Sequence, residues 1–178
     1  MNTKIFTVIT ATVLAASSVA FAGSDDGSKA AAQVAYHEPE KFTDFRMSES
    51  YLKRDAEALQ RELDRAIERA AGNALPPGYV LSIRFTDIDL AGDVNPYQRL
   101  DFRDVREYRG VFPPRLTFEY SVSDAAGNVV LSGSERLEDM AYDMRVRMPS
   151  NTDYTRIEAD LLRDFIHGLG KKISKGHA

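Results

Sequence analysis

From Tyr79 to Phe85 the chain alternates large apolar side chains with small or polar ones, and no other stretch limits the possible folds so sharply. Tyr79, Leu81, Ile83 and Phe85 fall on one side of an extended backbone and Val80, Ser82, Arg84 and Thr86 on the other. That period of two describes a strand whose sheet has one buried face and one mostly wet face. Beyond Phe85 the alternation gives way to Asp87, Asp89 and Asp93 with Gly92 among them, so the strand is expected to leave the core for an acidic, turn-prone mouth. A site, if the chain has one, is expected there.

A second strand runs from Arg115 to Val122, with Leu116, Phe118, Tyr120 and Val122 on one face. The turn Asp124-Ala125-Ala126-Gly127-Asn128 returns it as an antiparallel hairpin through Val129 to Leu137. A shorter strand is expected over Gln33 to Tyr36, interrupted by His37-Glu38-Pro39, with Phe42 and Phe45 anchoring the irregular segment after it. Ser48 or Ser50 can cap a helix to about Ala71, in which Leu52, Ala56, Leu59, Leu63, Ala66, Ile67 and Ala70 form one apolar stripe. Gly72-Asn73 should stop it, and Pro76-Pro77-Gly78 turns the chain into the central strand. Residues 99 to 110 read as an edge strand or an ordered loop, and Met140 to Met148 as an extended segment or a long loop. A last helix starts near Asp153 or Thr155, with Thr155 and Glu158 in capping-box relation, carries Ile157, Leu161, Leu162, Phe165, Ile166 and Leu169, and ends at Gly170. The order predicts an α+β fold: a chiefly antiparallel sheet of three to five strands with two amphipathic helices packed on one face.

The first residues carry Lys4, an apolar run from Ile5 to Val19 relieved only by Thr and Ser, and Ala20-Phe21-Ala22 before Gly23. This is the pattern of a cleaved signal peptide over residues 1–22, and a spanning helix wants about twenty apolar residues. A flexible leader over 23–32, a single domain over 33–170 and a basic disordered tail over 171–178 are expected to follow. The net charge is -4, and losing Lys4 with the signal peptide makes it one unit more negative. A chain of this size buries about 70% of the surface its unfolded form exposes, enough for one core without staples. The sequence has no cysteine, which removes a thiol nucleophile, a thiolate metal site and a lipid-modified cysteine, and leaves stability to packing.

The segments YHEPEKFTD at 36–44, TDIDLAGD at 86–93, RDVR at 103–106, PPRLTFEY at 113–120 and LSGSERLEDM at 131–140 together resemble an exported bacterial family, the domain of unknown function 3016. The resemblance covers most of the chain after the signal peptide. It implies an exported, periplasmic protein and brings no activity or catalytic residues with it.

Asp87, Asp89 and Asp93 offer hard oxygen ligands at short spacing, as calcium needs, but Leu90 and Ala91 intervene and no bidentate Glu closes a loop of the EF-hand type. Paired carboxylates also suit general acid-base hydrolysis, for which nothing in the spacing fixes a geometry. His37, His167 and His177 belong to no spaced set, no serine sits in a GxSxG elbow, and no phosphate-binding loop occurs. Arg99, Arg103, Arg106, Arg109 and Arg115, with Tyr97, Phe102 and Tyr108, suit an anionic ligand, although Asp101, Asp104 and Glu107 offset them and nucleic acid is not expected. The candidate ligand or partner surface is therefore Asp87, Asp89, Asp93, Tyr97, Arg99, Asp101, Arg103, Arg106 and Arg115, with no catalytic residue and no cofactor expected. These readings point to a non-enzymatic soluble periplasmic accessory or binding protein of the cell envelope, meeting an envelope protein or a small anionic ligand. The alternative is a carboxylate-based hydrolase or hard-metal-binding protein using Asp87, Asp89 and Asp93.

Overall fold

The computed structural model describes residues 29–47, 52–94, 106–145 and 154–176. The expected signal peptide and its cleavage site, the caps Ser48 and Ser50, and residues 95–105 with Tyr97, Arg99, Asp101 and Arg103 lie outside the described residues. So do the end of the expected 140–149 segment, Asp153 and His177.

The elements run β1 (Ala31–Tyr36), α1 (Lys53–Ala74), β2 (Val80–Asp89), β3 (Asp93–Val94), β4 (Arg106–Glu107), β5 (Arg115–Ser123), β6 (Val129–Glu138), the single turn α2 (Tyr142–Arg145) and α3 (Arg156–Gly176). A four-stranded sheet has the order β1-β2-β5-β6, and β3 pairs with β4 in a small second sheet. The fold is α+β, as the alternating strands and the two striped helices predict. The sheet is mixed: β2-β5 and β5-β6 are antiparallel, but β1 lies parallel to β2. Parallel neighbours need a long crossover, and α1 supplies it, which is why the strand before the first helix joins the sheet in that sense.

Leu81, Ile83 and Phe85 of β2 are buried together with Leu116, Phe118 and Val122 of β5, and the stripes of α1 and α3 close over them. Each such side chain taken from water contributes roughly 1.5–3 kcal/mol, so this face carries most of the stability. Phe85 and Phe118 meet edge-on at 5.5 Å, and Phe165 of α3 meets Phe118 at 5.2 Å and Tyr120 at 5.1 Å. Contrary to the sequence reading, β2 does not leave the core after Phe85. A bulge between Phe85 and Asp87 resets the alternation, and Ile88 and Leu90 return to the buried side.

Both helix ends differ from expectation. α1 begins at Lys53 after Leu52, with no side-chain cap, and passes through Gly72 and Asn73 to Ala74, just before Pro76. α3 continues past Gly170 to Gly176 because Ile173 extends its buried stripe, so the expected basic tail is helical from Lys171 to Gly176. Likewise Ala31 and Ala32, expected in the flexible leader, belong to β1. Thr155 and Glu158 form no capping box: the Thr155 hydroxyl donates to Glu62 Oε2 of α1 at 3.1 Å, and Glu158 turns elsewhere.

Gly170 lets the two helices touch, since a Cβ there would strike the Ala74 carbonyl at the end of α1, whereas one at Gly168 would meet nothing. Gly170→Ala should therefore cost about 1–3 kcal/mol through overpacking. Gly168→Ala, two residues away on the same helix, should stabilise by about 0.5–1 kcal/mol. Thermal unfolding of both variants checks the opposite signs.

Candidate functional site

The face of the sheet opposite the helices is built in register. Asp89, Arg115 and Glu138 stand side by side across β2, β5 and β6, followed by Asp87, Thr117 and Arg136, then Arg84, Glu119 and Ser134, then Ser82, Ser121 and Ser132. Among the described residues no element covers these rows. At the charged end, Arg115 Nη1 donates to Asp89 Oδ2 at 3.2 Å and its Nε to Glu138 Oε1 at 2.9 Å. Burial first, and then the neighbouring Asp44 carboxylate, push the Asp89 carboxyl above its usual range, with Arg115 pulling the other way. Asp87 accepts from the Thr43 amide at 2.7 Å and the Thr43 hydroxyl at 2.8 Å, which ties residues 42–45 to the flank of β2. Farther along, Arg84 meets Glu119 at 3.2 Å, an exposed pair.

At the opposite side of the sheet a cavity of about 800 Å³ borders β1. It is lined by Ala32 to Ala35, by Ser82, Arg84, Glu119 and Ser121 of the open face, and by Asp64 and Glu68 of α1. The Tyr36 hydroxyl donates to Asp64 Oδ1 at 2.9 Å. Burial, followed by the Asp64 charge, raises the Tyr36 phenol above its usual range, and burial likewise raises the Asp64 carboxyl.

Behind the charged end lies a buried polar knot that the sequence did not reveal. Arg106, expected on a ligand surface, has a side chain only 1% exposed and points inward. Its Nη1 donates to Asp44 Oδ2 at 2.8 Å, to Gly92 O at 3.1 Å and to Ala91 O at 3.2 Å, and its Nη2 to Arg46 O at 2.8 Å. From the other side of the same turn, the Ala91 amide donates to Glu158 Oε1 of α3 at 2.7 Å. The Leu90 amide reaches Asp44 O and the Gly92 amide Phe112 O, both at 3.0 Å, so every amide of this turn is satisfied. Gly92 sits at φ 77, and a Cβ there would collide with the Glu107 carbonyl. Tyr142 closes the knot against Ala91 and Ile157, its hydroxyl donating to Arg109 O at 2.8 Å.

Of the sequence candidates, the structure brings Asp89 and Arg115 together, with Asp87 in the next row, and turns Arg106 into the interior. Asp93 pairs with Glu107 in the small sheet and stays apart from Asp87 and Asp89. No group of three or more His, Asp or Glu side chains among the described residues is placed to hold a metal ion. Neither Asp44 nor Glu158 is among the sequence candidates for a site: Asp44 lies in the YHEPEKFTD block but faces its partners only after folding, while Glu158, expected as the capping-box partner of Thr155, is instead fully buried beside Ile157.

Removing one member of a buried ion pair costs about 3–5 kcal/mol, so Asp44→Ala should be severely destabilised. Glu119→Ala breaks only the exposed pair with Arg84 and should cost under about 1 kcal/mol. Urea unfolding of the two variants measures the contrast. Glu158 adds a pH dependence, since full burial pushes its carboxyl from 4.5 up to about 7. The folded protein thus keeps a proton that the unfolded chain releases, and stability present below pH 4.5 falls as pH rises towards 7. The loss is on the order of 3 kcal/mol, and Glu158→Gln should flatten it in a series of melts from pH 4 to 8.

Several solved structures are similar to the chain, among them the following three. A PelC dodecamer from Paraburkholderia phytofirmans in space group C2 has TM-score 0.39 and 12% identity, over 81% of this chain and 87% of that one. A PelC dodecamer from the same organism in space group P6 has TM-score 0.37 and 11% identity, over 79% and 86%. A minor lipoprotein from Acinetobacter baumannii has TM-score 0.27 and 11% identity, over 85% and 95%. No curated protein matches at a significant level. A family model does match, over residues 30–168, from the edge of β1 into α3 and so across the four-stranded sheet, all of α1 and the first part of α3. The chain belongs to that family, described as Protein of unknown function (DUF3016).

Proposed function

We propose that this chain is a non-enzymatic accessory or binding protein of the bacterial cell envelope, exported to the periplasm, whose contact surface is the open face of the sheet. One observation carries the reading: two helices cover one sheet face, and the other presents registered rows of Ser, Thr, Arg, Asp and Glu beside a cavity of about 800 Å³. Such a rigid, polar, one-sided platform suits recognition, because side chains fixed by strand register lose little freedom when a partner arrives. Asp87, Asp89 and Arg115 form its charged end. Their carboxylates are engaged with Thr43 and Arg115, which suits a platform better than a general base that must be free to take a proton. Export is supported by the leader pattern of residues 1–22, and among the described residues no helix is long and apolar enough to cross a membrane.

In vivo cross-linking followed by purification from the periplasm is expected to recover a reproducible partner, and replacing the exposed Ser132 and Ser134 with Lys on the open face should abolish that recovery while leaving the melting temperature nearly unchanged. Calcium and chelator are expected to leave the melt unshifted. Turnover of p-nitrophenyl ester, phosphate or glycoside substrates that disappears in Asp89→Asn would replace this reading with the carboxylate-based hydrolase.

A further inference from the structure

Natural sheets blunt their edges with charge, proline or bulges, because a bare row of amides and carbonyls pairs with any extended chain that reaches it. The two edges of this sheet are treated differently. β6 carries Glu135, Arg136 and Glu138 and a glycine at its middle. β1, AAQVAY, has no charged residue, no proline and no register shift, and among the described residues it pairs only with β2. The Ala31 amide bonds Tyr79 O and the His37 amide bonds Phe85 O, both at 2.9 Å. In a parallel ladder alternate residues bond the same neighbour, so the odd positions face β2 while Ala32, Val34 and Tyr36 direct their N–H and C=O groups outward.

The cavity lies along this edge. Its lining takes in consecutive residues of β1, both those turned to the helices and those turned to the open face. On the helix side it is bordered by Asp64 and Glu68, one turn apart on α1, which have no cationic partner among the described residues. On the open side the border is Ser82, Ser121 and the Arg84–Glu119 pair, which is already neutralised.

We propose that the β1 edge is a strand-addition site for an extended basic peptide segment of a partner protein, which pairs with Ala32, Val34 and Tyr36 and sets alternate Lys or Arg side chains against Asp64 and Glu68. This deepens, and rests on, the binding-protein reading above. Main-chain hydrogen bonds supply the affinity, and the alternation of side chains supplies the selection: cationic on the helix side, small and hydroxylated on the open side. A second copy of this chain fits poorly, because β1 has no basic residue and β1-to-β1 pairing would bring two acidic pairs together.

The test is fluorescence anisotropy of the purified protein with three labelled peptides of equal length: alternating Lys-Thr, alternating Glu-Thr, and Lys-Pro of the same charge as the first. Only the Lys-Thr peptide is expected to bind, with an affinity that falls as salt is raised. Asp64→Asn with Glu68→Gln should weaken it about tenfold or more, as two lost charge contacts require. Ala32→Pro removes an outward N–H without touching the β1-β2 ladder and should weaken it comparably, with circular dichroism confirming that it folds. Equal binding of the Lys-Pro peptide, or unchanged binding in both variants, overturns the proposal, as does a wild-type dimer in sedimentation that Ala32→Pro dissociates. An envelope partner that still cross-links to Ala32→Pro overturns the edge site alone and leaves the binding-protein reading standing. Hydrolytic turnover lost in Asp89→Asn overturns that reading while peptide binding at the edge persists.

Discussion

A buried guanidinium holds the far end of this molecule together. Taking a charge out of water costs several kcal/mol, and the cost is recovered only where the geometry gives the charge an ion partner and enough acceptors. Arg106 has the Asp44 carboxylate as ion partner and the carbonyls of Ala91, Gly92 and Arg46 as acceptors for its two terminal nitrogens, while its buried Nε makes no hydrogen bond. Those acceptors come from two segments distant in sequence, so the charge is compensated only when both have arrived. Glu158 adds α3 to the same turn through the Ala91 amide. Four parts of the chain thus meet at the three residues following β2, and the apolar face of the sheet is aligned with the helices by this polar joint as well as by its own packing.

The joint explains the one-sidedness of the sheet. With α1 and α3 docked on one face and the turn after β2 locked between Arg106 and Glu158, no element among the described residues lies over the other face. What remains there is sorted by register into rows, ionic near β2's C-terminal end and hydroxylic near its start. Tyr120 and Gly133 show how tightly the covered side is packed in return: a Cβ on Gly133 would lie 3.2 Å from the Tyr120 ring, which is itself held edge-on by Phe165.

Much of the fold was legible because period-two and helical patterns are local. Leu81, Ile83 and Phe85 were assigned to the core from alternation alone, and the stripe from Ala56 to Ala70 placed α1 on them. The bulge after Phe85 was not legible, since an inserted residue leaves no mark except the return of Ile88 and Leu90 among acidic neighbours. The helical tail was legible in principle: Ile173 stands four residues after Leu169, but the lysines around it suggested fraying. The polar knot was beyond reach, because Asp44, Arg106 and Glu158 are separated by long stretches of chain and only the tertiary structure makes them neighbours. Arg106 consequently read as surface charge, the usual state of an arginine in a charge-rich segment.

The parallel seating of β1 fixes when the molecule can be finished. β1 precedes everything it touches in the sheet: it cannot pair until α1 has crossed over and β2 has formed, and β2 is itself supported from the other side by β5. Closing such a long loop is entropically slow compared with zipping the β5-β6 hairpin. Among the described strands the first to be synthesised thus has no partner in the sheet until the chain has passed through α1 and returned as β2.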